Sequence, residues 1–230
     1  QDPACDTEIE LAGTVAGSGH DRLVVTGAAT LSGVLNVVLA DAFVPQAGDR
    51  FEVRACGVRS GQFDTISLPL LPADRAWVSE YDPGGVPGLA LSVVPVPPFE
   101  QWQQAEFGAE AGDPGVAGPL ADPDFDGILN LMEYALRLNP KVPDATGGVA
   151  GGLPGVEAAA GGVSLVYRKN LAATDLVFTV EESSDAGVSD PWEAAGVSET
   201  VLADDGQVQR IRATMATQAP RAFLRLKVER

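Results

Sequence analysis

Twelve consecutive residues, Asp122-Pro123-Asp124-Phe125-Asp126-Gly127-Ile128-Leu129-Asn130-Leu131-Met132-Glu133, carry the most specific chemistry in the chain. Carboxylates stand at the first, third and fifth places, a glycine at the sixth, a side-chain amide at the ninth and a glutamate at the twelfth. This is an oxygen-rich order suited to a hard divalent cation such as Ca2+, which takes about six to eight oxygen ligands. Asp122, Asp124 and Asp126, at alternate positions, turn inward around one ion. Gly127 permits the sharp bend. Ile128 offers its backbone carbonyl and leaves its side chain to a core. Asn130 binds directly or through water, and Glu133 closes the shell with both oxygens. With no cation between them, the three aspartates repel one another at short range. The expected metal ligands are therefore Asp122, Asp124, Asp126, Ile128, Asn130 and Glu133. Their expected role is to fold a segment around a metal; the motif does not name an enzyme.

The residues around this stretch must hold it. From Leu129 the apolar spacing turns helical through Met132 and Leu136, and Asn139-Pro140 stops it. Upstream, Glu100–Phe107 reads as a short helix with Phe99, Trp102 and Phe107 as its apolar residues, and 108–121 reads as a Gly/Pro-rich loop. The spacing is the ligand order of an EF-hand loop with one exit helix, no regular helix before it and no second hand. The string through Glu133-Tyr-Ala-Leu136, ending in Asn139-Pro140, resembles the dockerin-like and thrombospondin type 3-like calcium repeats of secreted bacterial proteins. It is most similar to a segment near the C-terminus of exported planctomycete and verrucomicrobial proteins, where a phenylalanine–tryptophan helix precedes the loop and a small β domain follows. A dockerin proper carries two repeats and binds a cohesin. One repeat stands here, so the resemblance does not imply cohesin binding.

Residues 5–94 read as strands throughout, with alternation in Thr7–Leu11, Arg22–Thr26, Ala29–Gly33, Val34–Leu39, Arg50–Cys56, Trp77–Tyr81 and Leu89–Val93. Gly17-Ser-Gly19, Gly27, Pro45–Asp49, Ser60-Gly61 and Asp82–Gly85 separate them. Short strands with regular turn signals predict a sandwich or a stack of solenoid rungs. The segments Ile9–Gly13, His20–Gly27, Ala29–Gly33, Phe43–Pro45, Ala47–Phe51 and Ser60–Phe63 resemble the closing part of autotransporter-type β-helix passenger proteins. In that family this part ends a long stack of rungs; here no rungs precede it. Its first face is then expected to meet another chain. Cys5 and Cys56 are the only cysteines. In an exported protein they favour one disulfide, contributing roughly 4 kcal/mol on a loop-entropy account; two buried free thiols are the alternative.

Residues 95–99 form a proline-stiffened linker. Residues 145–162, rich in Gly and Ala, read as a flexible loop. Beyond it Val163–Arg168, Leu176–Glu181, Glu199–Leu202, Val208–Ala213 and Ala222–Val228 read as strands of a small antiparallel sandwich, with Trp192 plugging its core. Arg221, Arg225, Lys227 and Arg230 give the last strand a basic side, either solvated or docked on an acidic neighbour. The expected organisation is mainly β: a solenoid-cap-like domain over 1–94, linker, helix and metal loop over 95–144, and a sandwich over 145–230.

The formal net charge of −17 argues against nucleic acid and anionic membrane as partners. No apolar run is long enough to span a bilayer. Gln1 suits a chain cleaved from an export signal. The one histidine, His20, in a Gly-Ser-Gly-His-Asp string, reads as an exposed turn residue, and no nucleophile elbow or phosphate loop is present. No catalytic residue is therefore expected. The composition and the two resemblances together predict a secreted, calcium-stiffened structural protein of an extracellular fibre, sheath or surface layer, self-associating or bound to neighbouring surface proteins. A carbohydrate-binding module recognising a glycan, and a C-terminal sorting region of a larger passenger, are the alternatives.

Overall fold

The computed structural model describes residues 6–144, 152–159, 162–215 and 221–230. The chain is mainly β and divides into two units, Gln1–Val96 and Pro97–Arg230.

In the first unit the strands are β1 (Asp6–Leu11), β2 (Leu23–Leu31), β3 (Val34–Leu39), β4 (Arg50–Gly61), β5 (Thr65–Ser67), β6 (Arg75–Tyr81) and β7 (Gly88–Pro95). The first five fall alternately into two sheets. β1, β3 and β5 pair in parallel in that order, and β2 pairs in parallel with β4. A parallel pair cannot be joined by a tight hairpin. Here each crossover is itself a strand of the opposite sheet, so the chain winds. β7 then reverses, antiparallel to β4, and carries β6 on its outer side. Period-two alternation turns Ile9, Leu11, Leu35 and Val37 of one sheet towards Leu31, Phe51, Val53, Leu89 and Leu91 of the other. Phe51 is fully buried at the centre, with ring centroids 6.0 Å from Phe43 and 5.8 Å from Trp77.

Three expectations change. Gly27 does not break the chain into two strands: β2 runs through it, with a register shift between Val25 and Ala28 that absorbs the irregularity as a bulge. Ser60-Gly61 is the end of β4 and not a separator. At Gly61 (φ +67°) a Cβ would stand 2.4 Å from the Leu31 carbonyl oxygen, so the parallel neighbour can approach only a glycine. His20 is not exposed. It is 6% accessible, its ring lies edge-on to Phe51 at 5.4 Å, and Nδ1 is 3.3 Å from the Gly13 carbonyl. A glycine-rich turn around an aromatic ring reads as surface, but the ring caps the core. Cys56 is buried in β4; Cys5, the other half of the expected disulfide, lies outside the described residues.

One ion pair ties β4 to the turn after β6. Arg59 donates from Nε to Asp82 Oδ1 at 2.6 Å and stacks over the Tyr81 ring at 4.9 Å, while the Gly88 amide donates to the same carboxylate at 3.1 Å. These donors, the Arg59 guanidinium foremost, hold the Asp82 carboxyl down to about 2. A carboxyl depressed in the folded state stabilises above its unfolded value near 3.9 and stops doing so as the pH falls through the folded value. The melting temperature of the first unit is therefore expected to fall between about pH 4 and pH 2. In Asp82→Asn that part of the slope is absent, which thermal melts across the pH series will show. Asn tolerates the left-handed backbone of position 82 (φ 54°).

The second unit holds α1 (Pro98–Phe107), α2 (Asn130–Leu136), β8 (Gly155–Ala159), β9 (Gly162–Asn170), β10 (Val177–Ser183), β11 (Val197–Asp204), β12 (Val208–Met215) and β13 (Phe223–Glu229). All its strand pairs are antiparallel: a four-stranded sheet in the order β11-β12-β9-β8, and β10 with β13. Leu165, Tyr167, Ile211 and Ala213 of the first sheet pack with Val180, Phe178, Leu224 and Leu226 of the second, a sandwich-like core. β8 lies inside the span expected as loop; its Gly/Ala composition hides it, and pairing with β9 makes the strand. Trp192 does not plug this core. It is half-buried beneath the Arg225 guanidinium, 4.4 Å from the ring centroid.

The basic side of β13 is engaged within its own unit. Arg225 pairs with Glu181 at 2.6 Å, and Arg230 with Glu100 at 3.1 Å and Asp175 at 3.3 Å. Asp175 also accepts from the Tyr134 hydroxyl at 2.8 Å and the Phe99 amide at 3.2 Å. Phe99 and Tyr134, ring centroids 5.3 Å apart, share a core with Ala173 and Leu176. α1 and α2 are thus packed on the C-terminal strands. No helix among the described residues is long and apolar enough to cross a membrane.

Candidate metal centre

The segment after α1 is held by hydrogen bonds to the backbone. Gln103 of α1 donates to the Ala117 carbonyl, and Asn130, wholly buried, donates from Nδ2 to the carbonyls of Val116 and Gly118, both at 2.9 Å. The first two amides of α2 donate to Ala121 at 2.9 Å and Pro119 at 3.1 Å. Stretch 116–121 thus satisfies the helix N-terminus that no side chain caps. It does the anchoring that a regular helix before the loop would do.

Between these anchors the chain curls. Phe125 (φ 60°) and Gly127 (φ 89°) are both left-handed and flank Asp126. Amides inside the curl donate to the loop's own carboxylates: Asp126 N–H to Asp122 at 3.2 Å and Asp124 at 3.3 Å, Gly127 N–H to Asp122 at 3.0 Å, and Ile128 N–H to Asp126 at 2.8 Å. The result brings oxygens of Asp122, Asp124 and Asp126 within 4.8 Å of one another, a group that could hold a metal ion. Phe125 is 89% exposed, so its left-handed backbone is not repaid by packing. Phe125→Gly is expected to stabilise the second unit by about 0.5–1 kcal/mol, because that conformation costs an L-residue roughly 1–2 kcal/mol and glycine returns part of this through the unfolded chain. Urea titration of the two proteins measures it.

The remaining sequence-predicted residues fall as follows. Glu133, on the first turn of α2, is fully buried, and neither carboxylate oxygen has a hydrogen-bond partner among the described residues. Burial first, and then the charges of Asp124, Asp126, Asp144 and Asp122, push its carboxyl up to about 8. Burial also raises Asp124, whose Oδ2 is buried without a partner. Asn130 spends its amide nitrogen on the 116–118 stretch and keeps a buried, unpartnered Oδ1. The Ile128 side chain lines an apolar groove of about 560 Å³ together with Leu129, Met132, Leu136, Leu165 and Leu226.

These residues fit an oxygen-coordinated cation. A buried carboxylate costs several kcal/mol unless it is paired or coordinates a metal, and here the unpartnered oxygens belong to the like-charged Asp124, Glu133 and Asp144 and to the neutral amide of Asn130. Asp144, eleven residues past the loop's last place, stands outside the group formed by Asp122, Asp124 and Asp126 and is a neighbouring acid that loop spacing misses. Its amide donates to Asp126 Oδ2 at 2.8 Å and its own Oδ2 is buried. No protein-family model and no curated protein matches the chain.

Proposed function

We propose that the protein is a secreted, calcium-stabilised structural protein, a subunit of an extracellular fibre, sheath or surface assembly. The observation that carries the metal half is Glu133: a wholly buried carboxylate with no donor on either oxygen, under the charges of Asp122, Asp124, Asp126 and Asp144. A cation with an oxygen preference and a flexible, high coordination number suits this donor set, which favours calcium over metals that select imidazole or thiolate. Asp122, Asp124, Asp126 and Glu133 would hold the ion, with the Ile128 carbonyl and Asn130 Oδ1. The ion would supply charge balance and rigidity, pinning α2 to the 116–121 stretch. Affinity in the range of about 10⁻⁴–10⁻³ M suits an extracellular medium.

The assembly half rests on the first unit. Its two-sheet winding suits the closing rungs of a β-solenoid. β2 pairs with a single strand among the described residues, leaving a backbone edge on its sheet, whereas the outer side of β1 is met by residues 19–21, the Asp21 amide donating to the Glu10 carbonyl and the Ala12 amide to Gly19. β2 also exposes Leu23 and Val24 beside its edge. Unpaired edges are templates for strand addition. Electron microscopy and sedimentation with calcium are expected to show ordered oligomers or filaments. Monomers at every concentration, with and without calcium, would overturn the assembly reading.

A further inference from the structure

Asp144 has no place in the twelve-residue loop, yet it meets it. The chain leaves α2, passes Asn139-Pro140 and returns, so that the Asp144 amide donates to Asp126 Oδ2 at 2.8 Å. One carboxylate oxygen of Asp144 is buried with no hydrogen-bond partner among the described residues. Like charges held together out of water are unfavourable unless a cation lies among them. A second buried carboxylate without a partner belongs to the loop itself. Glu133 is 0% exposed, both its oxygens lack a donor, and Asp144 is among the charges that act on it.

We propose that Asp144 is a ligand of the bound divalent cation, supplied from outside the loop. The proposal rests on the metal reading above and extends it. A fifth carboxylate would make the site more selective for a large, highly charged oxygen-seeking ion than a lone loop. It would also give the ion a second mechanical role. The ion would tie the loop to the chain that returns after α2, where the Asp144 amide already donates to Asp126.

Terbium, a trivalent stand-in for calcium, tests this on the full chain. Affinity is read from its luminescence, and the number of waters on the ion from lifetimes in H₂O and D₂O. Asp144→Ala, which leaves no side-chain oxygen at this place, is expected to weaken binding by about 10- to 100-fold and to add one bound water. Asp144→Ser, a second replacement in case the first does not fold, is expected to do the same. If both bind within twofold of the parent with its water count, while Asp126→Asn loses binding, Asp144 is no ligand and the loop stands alone. Weaker binding with an unchanged water count also overturns the proposal, because it assigns Asp144 an effect of charge without contact. If the parent chain binds no terbium, this proposal and the metal reading fall together.

Discussion

Glu133→Gln is expected to erase the calcium dependence of the melting temperature. In the parent protein, calcium at a hundred times its dissociation constant stabilises the folded form by about 2.7 kcal/mol, if the unfolded chain does not bind it. For a unit of this size that is a rise on the order of 10 °C. The glutamine keeps the volume of the buried side chain and removes the charge that would close the shell, so the rise disappears. In chelator the sign differs. The buried carboxylate has no donor on either oxygen, and an amide there carries no charge to desolvate beside Asp124, Asp126 and Asp144. The variant should therefore melt no lower than the parent when calcium is absent. Calorimetry of both proteins in calcium and in EGTA gives four melting temperatures. A parent whose two values coincide would remove the stabilising role assigned to the metal.

Phe51→Ala is expected to cost about 3–5 kcal/mol, the range for emptying a buried aromatic position. Phe51 is wholly buried and meets His20, Phe43 and Trp77 from three sides. Those neighbours hang on separate stretches of chain and cannot close in together, which puts the cost at the upper part of the range. The loss belongs to the first unit. Native-state hydrogen exchange should show amides of β4 and β7 losing protection while those of β9 and β12 keep it. Equal loss in both pairs would mean that the two cores do not unfold independently.

Much of this architecture was legible because it is local. Period-two alternation marks β3, β4 and β7, and oxygen spacing marks Asp122, Asp124, Asp126 and Glu133 within one short window. What escaped depends on neighbours distant in sequence. β8 is a strand because β9 lies beside it, not because Gly155–Ala159 favours one. β5, three residues long, is fixed by β3. Gly27 looked like punctuation but sits at a bulge that only the β4 register reveals. His20 was misjudged because its turn is polar while its ring finds Phe51. At the candidate metal centre, spacing named the acids but not their burial, which depends on the 116–121 stretch and the return of Asp144. Asn130 shows the limit well: its place in the loop predicts an oxygen donor, yet its amide nitrogen also fastens the loop to Val116 and Gly118.

The interleaving of β1 to β5 has a kinetic consequence. No strand among these five pairs with its immediate successor in the chain, so none can be secured by a quick hairpin. Every early pairing must close a long loop before any contact repays it, which is the topology of slow folders. β6 with β7, and β8 with β9, can zip at once. During synthesis, the first unit therefore dwells longest with bare ribbons showing, and it is there that a chaperone or a misplaced sister chain would take hold.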